Sequence, residues 1–586
     1  PVASVSVNLA AATLLVGQTT QATAVARDAA GNVLTGRVVA WSSANTAIAT
    51  VSGTGLVTAV ALGSAAIRAT VEGIQGSSTL TVGVGAAASM AAVSVVTQSA
   101  AAGTAVAAPP SVRVRDIAGS PVSGVNVTFT LTAGAGSTTP ASPATVATNA
   151  TGVATLTTWT LGNVVGANTV SAAVSGLTGS PVVFNATGVA GAASIIAANS
   201  VVTQSATAGT AVGAPPSVKV TDAVGNAVSG VVVTFAVTAG GGTISSASAT
   251  TNAGGIATLA SWTLGALVGT NTVTATATGL TGSPVSFNAT GTVGAAAIIV
   301  ANSALSQSGT ASSAVATPPS VRVTDIGGNP VSGVNVTFTV TTGGGTTSPA
   351  SPAVVATNAS GVATITSWTL GAVAGANALT AGATGLTGSP ITFTATAVAG
   401  APTTIAASSV ITQSAIAGSV VSAAPSVRVT DATGNGVPGV TVTFAVTGGG
   451  GSITPTTVST NATGFATLTS WTLGTVAGPN SVTATVAGLA GSPVTFNATG
   501  LVGPDALLSI TAQPGGASIG APFTTQPVVE IRDANGNLTA SSATVTVAIA
   551  SGGGTLGGTT TVTAVNGVAT FTNLSLSNTG AHTLTF

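Results

Sequence analysis

Apolar and polar residues alternate with a period of two along most of the chain, and the stretch Pro425–Phe444 shows this pattern plainly. Val427 and Val429 share one face of a first run, and Val442 and Phe444 share one face of a second run. Between the two runs, the letters DATGN supply Asp, Gly and Asn, which favour tight turns. The pattern predicts a β-hairpin whose two strands each have one buried face.

The same unit occurs four times along the chain. Its other copies cover Val112–Phe129, Val218–Phe235 and Val321–Phe338, and the turn Asp falls at 116, 222, 325 and 431. The intervals between these Asp residues are 106, 103 and 106 residues. Because a period near one hundred residues is the length of a whole domain, it predicts tandem domains and not the short turns of a solenoid.

Each copy contains further strand-like runs in a fixed order. A run of the VVTQSA type precedes the unit, and a Gly-rich loop, a TNAxGxAT run, a Trp segment and two alternating runs follow it. One such run lies in the copy that contains Asp222. Its residues Val273, Ala275 and Ala277 fall on one face, and Thr residues fall on the other. Roughly seven short strands with regular turn signals are typical of an antiparallel β-sandwich.

The opening region, residues 1–83, follows a different pattern. A DAAGN turn precedes the letters WSS, ATVS, GLVTAV and ALGSAAI, in that order. This region resembles the bacterial immunoglobulin-like domains of group 2, and the resemblance covers nearly all of it.

The four long repeats resemble the bacterial immunoglobulin-like domains of group 1, which are of the invasin and intimin type. The resemblance rests on the motifs VxVxDxxGNxVxGVxVTF and TNAxGxATL. It implies a surface-displayed array in which such domains act as spacers or scaffold, and it supplies no catalytic residues to transfer.

The predicted fold class is all-β, a tandem array of immunoglobulin-like antiparallel β-sandwiches that forms an elongated rod. The predicted domains are 1–83, the repeats 84–190, 191–294, 295–399 and 400–503, and a divergent unit at 504–586. Joints of a few Gly, Ala and Val residues are too short to act as free tethers, so consecutive sandwiches should abut end to end. Six units would then make a rod on the order of 200 Å long.

The divergent unit, 504–586, has no counterpart of the closing strand PVTFNATG found at 493–500. A sandwich without that strand exposes unpaired backbone groups along a groove. Two explanations stay open at this point: the natural chain continues, or another chain lends the strand.

Composition excludes several classes of function. Charged residues make up 3% of the 586 residues, with nine Lys plus Arg, nine Asp plus Glu and no net charge. Nucleic acid requires clustered cations, so no nucleic-acid partner is expected. No apolar run reaches the ~18 residues of a membrane span without a polar interruption, so we expect a soluble chain with no transmembrane segment. The absence of cysteine leaves the redox compartment open.

No start of the secretory type is visible, because the chain opens directly on the strand-like letters PVASVSV. Either a secretion signal was removed, or the sequence is a window on a longer chain.

The candidates for chemistry are few. His582 is the only histidine, and no acid lies near it in sequence to complete a hydrolytic triad, so no enzyme activity and no catalytic residue are predicted. A calcium ion takes six to eight oxygens with several carboxylates, whereas each repeat offers about one acid. We therefore predict no metal and no other cofactor. The recurring Asp is predicted to initiate a turn, and the Arg or Lys three residues earlier is its candidate partner.

The Gly-rich loops, such as Gly240–Gly242 and Gly448–Gly451, lack the following Lys and helix of a phosphate-binding loop. They are predicted to connect the strands of hairpins.

A Trp recurs once in each repeat, at 159, 262, 368 and 471. In the run IATLASWTL, strict alternation places Ala257 and Leu259 on the face opposite to Trp262, and a β-bulge would return the ring to the core. Without a bulge, the ring would cover the outer face near a joint. Packing in the core or at a joint is the predicted role, and sugar binding by exposed rings is the alternative.

Outward strand positions carry Thr, Ser and Asn in place of Lys and Glu, so little electrostatic repulsion opposes association. The sequence predicts an extracellular or cell-surface structural protein, a filament subunit or stalk whose partners are copies of itself. Contact with the cell envelope or with host or neighbour surfaces would use regions outside this sequence. The alternatives are the spacer region of a bacterial surface adhesin and carbohydrate-binding accessory domains.

Overall fold

The computed structural model describes all 586 residues and consists of β-strands, turns and irregular segments. The chain divides into two compact units, Pro1–Val293 and Gly294–Phe586, each of which holds three sandwiches. The prediction of an all-β chain of tandem sandwiches is confirmed, while the exact domain boundaries stay a prediction. No helix long and apolar enough to cross a membrane is present.

The first sandwich packs two sheets around a core that includes Val57, Ile67 and Leu80. Its strands are β1 (Ser4–Leu9), β2 (Thr13–Leu15), β3 (Thr19–Arg27), β4 (Val33–Leu34), β5 (Ala40–Ser43), β6 (Ala49–Val51), β7 (Leu56–Ala59), β8 (Gly63–Val71) and β9 (Ile74–Gly83). One sheet has the order β1-β3-β7-β6, with β4 beside β3, and the other has the order β2-β9-β8-β5.

The second and third sandwiches complete the unit 1–293. The second consists of β10 (Ala87–Ala92), β11 (Thr97–Ala101), β12 (Ser111–Asp116), β13 (Asn126–Ala133), β14 (Ser137–Thr139), β15 (Ala144–Ala147), β16 (Val153–Thr155), β17 (Thr158–Thr160), β18 (Gly166–Ala173) and β19 (Val182–Val189). The third consists of β20 (Ile195–Ala198), β21 (Thr203–Thr207), β22 (Ser217–Thr221), β23 (Val232–Ala239), β24 (Thr243–Ile244), β25 (Ser248–Thr250), β26 (Ile256–Thr258), β27 (Trp262–Thr263), β28 (Gly269–Thr276) and β29 (Val285–Thr292).

The unit 294–586 begins with two more sandwiches of the same kind. The fourth consists of β30 (Ile298–Ala301), β31 (Ser306–Thr310), β32 (Ser320–Thr324), β33 (Asn335–Thr342), β34 (Thr346–Ser348), β35 (Ala353–Ala356), β36 (Val362–Thr364), β37 (Ser367–Thr369), β38 (Gly375–Gly382) and β39 (Ile391–Val398). The fifth consists of β40 (Thr404–Ala407), β41 (Thr412–Ile416), β42 (Ser426–Thr430), β43 (Thr441–Gly448), β44 (Ser452–Thr454), β45 (Thr457–Ser459), β46 (Phe465–Thr467), β47 (Ser470–Thr472), β48 (Gly478–Thr485) and β49 (Val494–Leu501).

The sixth sandwich is shorter. It consists of β50 (Asp505–Ala512), β51 (Val528–Asp533), β52 (Thr544–Thr546), β53 (Ala548–Ser551), β54 (Leu556–Gly557), β55 (Thr561–Thr563), β56 (Val568–Thr570), β57 (Ser575–Leu576) and β58 (Thr583–Thr585).

The four long repeats share one topology. In the second sandwich, a three-stranded sheet β10-β12-β16 faces a five-stranded sheet β11-β19-β18-β13-β15, and β14-β17 forms a short ribbon. The closing strand β19 lies between β11, to which it is parallel, and β18, to which it is antiparallel. Inward-facing side chains fill the core as the alternation predicts: in the third sandwich, Val273, Ala275 and Ala277 are buried.

The strands β42 and β43, predicted to form a hairpin, do not pair with each other. β42 lies between β40 and β46, whereas β43 lies between β45 and β48 in the opposite sheet. The hairpin prediction is wrong because alternation reveals that a strand has a buried face but not which strand it bonds. Val427 and Phe444 are both buried because their strands face one core from its two sides.

The Gly-rich loops also differ from the prediction. Gly448–Gly451 follows β43 of the five-stranded sheet and leads into β44, which pairs with β47 in the short ribbon. The loop therefore carries the chain from one sheet to another and does not connect two paired strands.

Candidate functional site: the joints between sandwiches

The four repeat Trp rings lie in the cores and are fully buried. In the third sandwich, β26 ends at Thr258, and Trp262 begins β27 in another sheet, where it pairs with Ile244. The chain thus changes sheets between the two strands, and this change turns the ring inward without a β-bulge. Sugar binding by these rings would require exposure that they do not have.

The indole N–H of each of these rings is buried and has no hydrogen-bond partner; the rings are Trp159, Trp262, Trp368 and Trp471. Most buried polar groups in proteins are paired, so each unpaired N–H reduces the stability that the ring contributes by burial. The rings therefore act through their volume and apolar surface.

The loop that follows each Trp strand is held by a buried Asn. In the second sandwich, Asn168 Oδ1 accepts a hydrogen bond from Gly162 N (3.0 Å), and Asn168 Nδ2 donates to Gly166 O (3.2 Å). Asn271, Asn377 and Asn480 make the same two bonds in the other repeats. The Gly-rich loop packs against this amide: a Cβ on Gly449, which has φ +85°, would lie 2.2 Å from Asn480 Oδ1.

His582 occupies the equivalent place in the sixth sandwich. Its Nδ1 lies 2.9 Å from Gly580 O, and its Nε2 lies 2.9 Å from Asn578 Oδ1. These contacts hold the loop between β57 and β58, as the buried Asn does in the repeats. The ring contacts no carboxylate that could orient it as a catalytic base.

Each turn Asp is buried among donors and makes no ion pair. In the fifth sandwich, Asp431 Oδ1 accepts hydrogen bonds from Thr433 N and Asn435 N, both at 2.9 Å, and Oδ2 accepts one from Asn435 Nδ2 (3.1 Å). The prediction of a partner three residues earlier, Arg428 for this turn, is wrong. The ion pairs of the chain lie elsewhere, between Arg37 and Glu72 and between Arg532 and Glu530.

The same carboxylates also bind the joints between sandwiches. The backbone N–H of a joint Gly donates to Oδ2 of the turn Asp at 2.8–3.0 Å; the pairs are Gly85 and Asp116, Gly191 and Asp222, Gly294 and Asp325, Gly400 and Asp431, and Gly503 and Asp533. The two residues are 31 apart in the first four pairs and 30 apart in the fifth. This constant spacing was the signal in the sequence that could have revealed the contact.

These hydrogen bonds shift the acidity of the turn carboxyls. Burial alone raises the pKa of Asp533, but hydrogen bonds from the Asn537 side chain and from the N–H groups of Gly503, Asn537 and Asn535 outweigh it and lower the pKa to about 2. The pKa values of Asp222, Asp325 and Asp431 are also lowered, because donors of the same kind overcome burial. The turns at Asp222, Asp325, Asp431 and Asp533 therefore hold carboxylates and not neutral acids.

The Asn that ends the turn reaches the preceding sandwich. Asn226 Nδ2 donates to Asn163 O (2.8 Å), and its Oδ1 accepts from Val165 N (3.1 Å). Both groups belong to the loop that Asn168 holds. One carboxamide thus makes two hydrogen bonds across the joint between the second and third sandwiches, and we call this contact the Asn clasp.

The Asn clasp occurs twice in the unit 294–586. Asn435 bonds Ala372 O (2.8 Å) and Ala374 N (2.7 Å) across the joint between the fourth and fifth sandwiches. Asn537 bonds Thr475 O and Ala477 N, both at 2.8 Å, across the next joint, where Asn535 Nδ2 also donates to Ala417 O (2.6 Å). The sequence pattern indicated only that these Asn residues form turns.

The joint between the first and second sandwiches lacks the clasp. Ser120 stands at the turn position that Asn226 occupies in the next repeat, and its N–H still donates to Asp116 Oδ1 (2.8 Å). No hydrogen bond joins its side chain to the first sandwich. Ser therefore preserves the turn without making the contact across the joint.

The sixth sandwich contains an open apolar groove. Leu508 is 46% exposed, whereas residues at the same register in the repeats are at most 3% exposed; these are Met90, Ile196, Ile299 and Ile405. A cavity of about 390 Å³ lies beside it, lined partly by Leu507, Val545 and Phe586. The strand β58 pairs with β53 only, whereas its counterpart β48 pairs with two strands. No three side chains of His, Cys, Asp or Glu come together as metal ligands.

Fold and joints together define an array of immunoglobulin-like sandwiches, and two segments of the chain match family models. Residues 1–82 match the bacterial Ig-like domain (group 2), and residues 405–499 match the bacterial Ig-like domain (group 1). Both resemblances inferred from the sequence are confirmed for these residues. A comparison with curated proteins finds no match.

Several solved structures are similar to parts of the chain. The Escherichia coli adhesin FdeC is 20% identical, over 53% of this chain and 100% of that one, with a TM-score of 0.32. Invasin, described as a bacterial integrin-binding protein, is 17% identical over 74% of this chain and 81% of its own, with a TM-score of 0.28. Domains 4–9 of the surface layer protein SbsC are 17% identical over 94% of this chain and 89% of their own, with a TM-score of 0.18.

Proposed function

We propose that the chain is a structural part of a bacterial extracellular or cell-surface array, a filament subunit or stalk. The observation that carries this proposal is the Asn clasp, which fixes a loop of one sandwich to a turn of the next at Asn226, Asn435 and Asn537. The clasp connects consecutive sandwiches through backbone groups of one and a side chain of the next. The matches to the two bacterial Ig-like groups support the same role.

The surface supports association between copies of the chain. Only 3% of residues are charged, and net charge is zero, so little repulsion opposes the approach of a second copy. Exposed apolar side chains occur on several repeats at equivalent places, among them Val164, Val373 and Val476. Copies of the chain itself are therefore the proposed partner.

Electron microscopy of the purified chain tests this proposal. We expect elongated particles that associate into linear assemblies as the protein concentration rises. Compact particles that stay single at every concentration would contradict it.

Strand donation is a second element of the proposal, and the groove of the sixth sandwich favours it. In the fifth sandwich the closing strand β49 buries Phe496 and Ala498 against the core and pairs with β48. An extended segment with the same alternation would cover Leu508 and pair with the free edge of β58. The occupant is thus a β-strand of the pattern found at 493–500, supplied by another polypeptide segment.

A synthetic peptide with the sequence of residues 491–500, GSPVTFNATG, tests the groove directly. It should bind the full chain and raise the unfolding temperature of the sixth sandwich. A peptide carrying Phe496→Asp should not bind, nor should the native peptide bind a chain carrying Leu508→Asp, because a charge would then face the apolar groove. Failure of the native peptide to bind, or equal binding of both peptides, would exclude strand donation.

The alternatives differ in their support. A role as the spacer of a surface adhesin would use the same joints, with the binding region outside this sequence. Carbohydrate binding through the repeat Trp residues is disfavoured, because those rings are fully buried.

A further inference from the structure

Two arginines stand side by side on the outer face of the three-stranded sheet in the second sandwich. The strand β12 turns Val112 and Val114 into the core, where both are fully buried, so Arg113 and Arg115 fall on the opposite face. Residues two apart on one strand lie about 7 Å from each other. The two guanidinium groups can therefore reach a common ligand.

A cavity of about 250 Å³ lies beside these two side chains. Its lining consists of Arg113, Arg115, Pro121, Ala150 and Thr151. A water molecule occupies roughly 30 Å³, so this space has room for a small ion. The lining brings two positive charges and no negative charge to the cavity.

The guanidinium of Arg113 has no acceptor within the chain. Its Nε is buried without a hydrogen-bond partner, and neither ion pair of the chain includes it. Arg428 holds the same strand position in the fifth sandwich, where its Nε donates to Thr463 O (3.2 Å) and its guanidinium lies over the Phe465 ring. Val153 stands in place of that ring beside Arg113. Arg113 therefore keeps donors that Arg428 uses inside its own sandwich.

The acids of this chain are already bound elsewhere. All nine acidic side chains either accept hydrogen bonds or form an ion pair within the chain; they are Asp28, Glu72, Asp116, Asp222, Asp325, Asp431, Asp505, Glu530 and Asp533. A second copy would offer only the same bound groups. This favours an acceptor that residues 1–586 do not contain.

We propose that Arg113 and Arg115 bind a doubly charged oxyanion, a phosphate or sulfate group, in this cavity. Two guanidinium groups balance two negative charges, and the planar fork of each matches two oxygens of such a group. The Arg nitrogens donate and the oxyanion accepts, so every hydrogen bond in the site is charge-assisted. Arg115 keeps its bond from Nη1 to Gly119 O and offers its other N–H groups to the ligand.

The other repeats carry one cation at this place instead of two. Thr stands at the position of Arg115 in each of them, as Thr221, Thr324 and Thr430. The fourth sandwich otherwise keeps residues of the same kind around the position, namely Arg322, Pro330, Ala359 and Ser360. The repeats thus supply a variant that removes the arginine pair and keeps the fold, Arg115→Thr, and a variant that completes it in another sandwich, Thr324→Arg.

Nuclear magnetic resonance of the full chain, isotope-labelled at its arginine nitrogens, tests the proposal. Phosphate and sulfate, titrated separately at constant ionic strength, should shift the signals of Arg113 and Arg115 until they saturate. In Arg115→Thr, half-saturation of the Arg113 signal should require about tenfold more phosphate, because the charge-assisted bonds of one guanidinium are lost. The signal of Arg322 is the matched control: it should show no saturable shift in the native chain and should acquire one in Thr324→Arg.

Two further ligands define the chemistry of the site. Acetate carries a single charge and should bind about tenfold more weakly than phosphate. Glycerol phosphate should bind as phosphate does if the natural ligand is a phosphate group on a larger molecule, whereas binding of inorganic phosphate alone would indicate the free ion; either result upholds the site. Equal shifts of Arg113 and Arg322 in the native chain, or an unchanged Arg113 titration in Arg115→Thr, would overturn the proposal.

Discussion

Each turn Asp is surrounded by hydrogen-bond donors, and this decides how a joint responds to acid. Asp533 receives N–H groups from its own turn and from Gly503 of the joint, so its charged form is favoured in the folded chain. The Trp rings show the opposite case, a buried polar group without a partner. The bonded carboxylate and the unpaired indole N–H each belong to a single residue, so each can be tested by a single substitution.

Acid should weaken the sixth sandwich within a defined window of pH. The folded pKa of Asp533, about 2, lies below the unfolded value near ~3.9, so its stabilisation is complete above ~pH 4 and is lost as pH falls towards 2. Calorimetry should therefore show that Asp533→Asn lowers the unfolding temperature at pH 7. The difference from the native chain should shrink between pH 4 and pH 2. A difference that is constant over this range would contradict the assignment.

Trp368 should contribute by its volume and not by its N–H. Trp368→Ala should destabilise the fourth sandwich by about 3–5 kcal/mol, because it leaves a large cavity. Trp368→Phe should cost much less, because the N–H that it removes has no partner to lose. Denaturant unfolding, monitored by hydrogen exchange in peptides from residues 295–399, measures the loss of stability in both variants. Equal losses for the two variants would contradict a role that depends on the volume of an aromatic ring.

At the scale of elements, the joint is made by a turn and a loop that belong to different sandwiches. The loop is shaped by the buried Asn and the Gly-rich loop beside it, and the turn is shaped by its Asp. The clasp joins two elements that are each held by their own hydrogen bonds. Its strength should therefore depend on the Asn side chain alone, and a variant there should leave both sandwiches folded.

Asn435→Ser should open one joint and leave the next unchanged. Ala374 N donates to Asn435 Oδ1 at 2.7 Å, so its exchange with solvent deuterium should become about tenfold faster in the variant. Ala477 N, which bonds Asn537, is the internal control and should exchange as before. Unchanged protection at Ala374 would show that the clasp does not hold this joint.

At the scale of the whole molecule, the scarcity of charge is the dominant property. The proposed association of copies would depend on hydrogen bonds and apolar contact, which salt does not screen. The scarcity of charge also leaves few sites for a protease that cuts after Lys or Arg, since the chain has nine such residues.

Self-association should therefore be nearly independent of ionic strength. Sedimentation in ~10 mM and in ~500 mM NaCl should give association constants that agree within about twofold, because exposed charges are too few to contribute a screened term. A strong decrease at high salt would indicate an electrostatic interface in place of the proposed one.

Much of the architecture followed from the sequence, because the period of two and the repeat near one hundred residues are properties of order along the chain. They predicted strands, sandwiches, and buried Val273 and Ala275; the resemblance to the two bacterial Ig-like groups rested on the motifs. The pairing of β42 and β43 was predicted wrongly, because two strands that face one core have the same alternation whether they share a sheet or oppose each other.

By itself, then, the sequence determined which residues are strands, which faces are apolar and how often the unit repeats. Tertiary structure alone decided that Trp262 enters the core by a change of sheet, that Asp431 binds a joint glycine instead of Arg428, and that Asn435 binds the preceding sandwich. The reason is physical: burial leaves a local pattern in the chain, whereas a hydrogen bond between distant groups depends on where the fold brings a donor and an acceptor within 3 Å of each other.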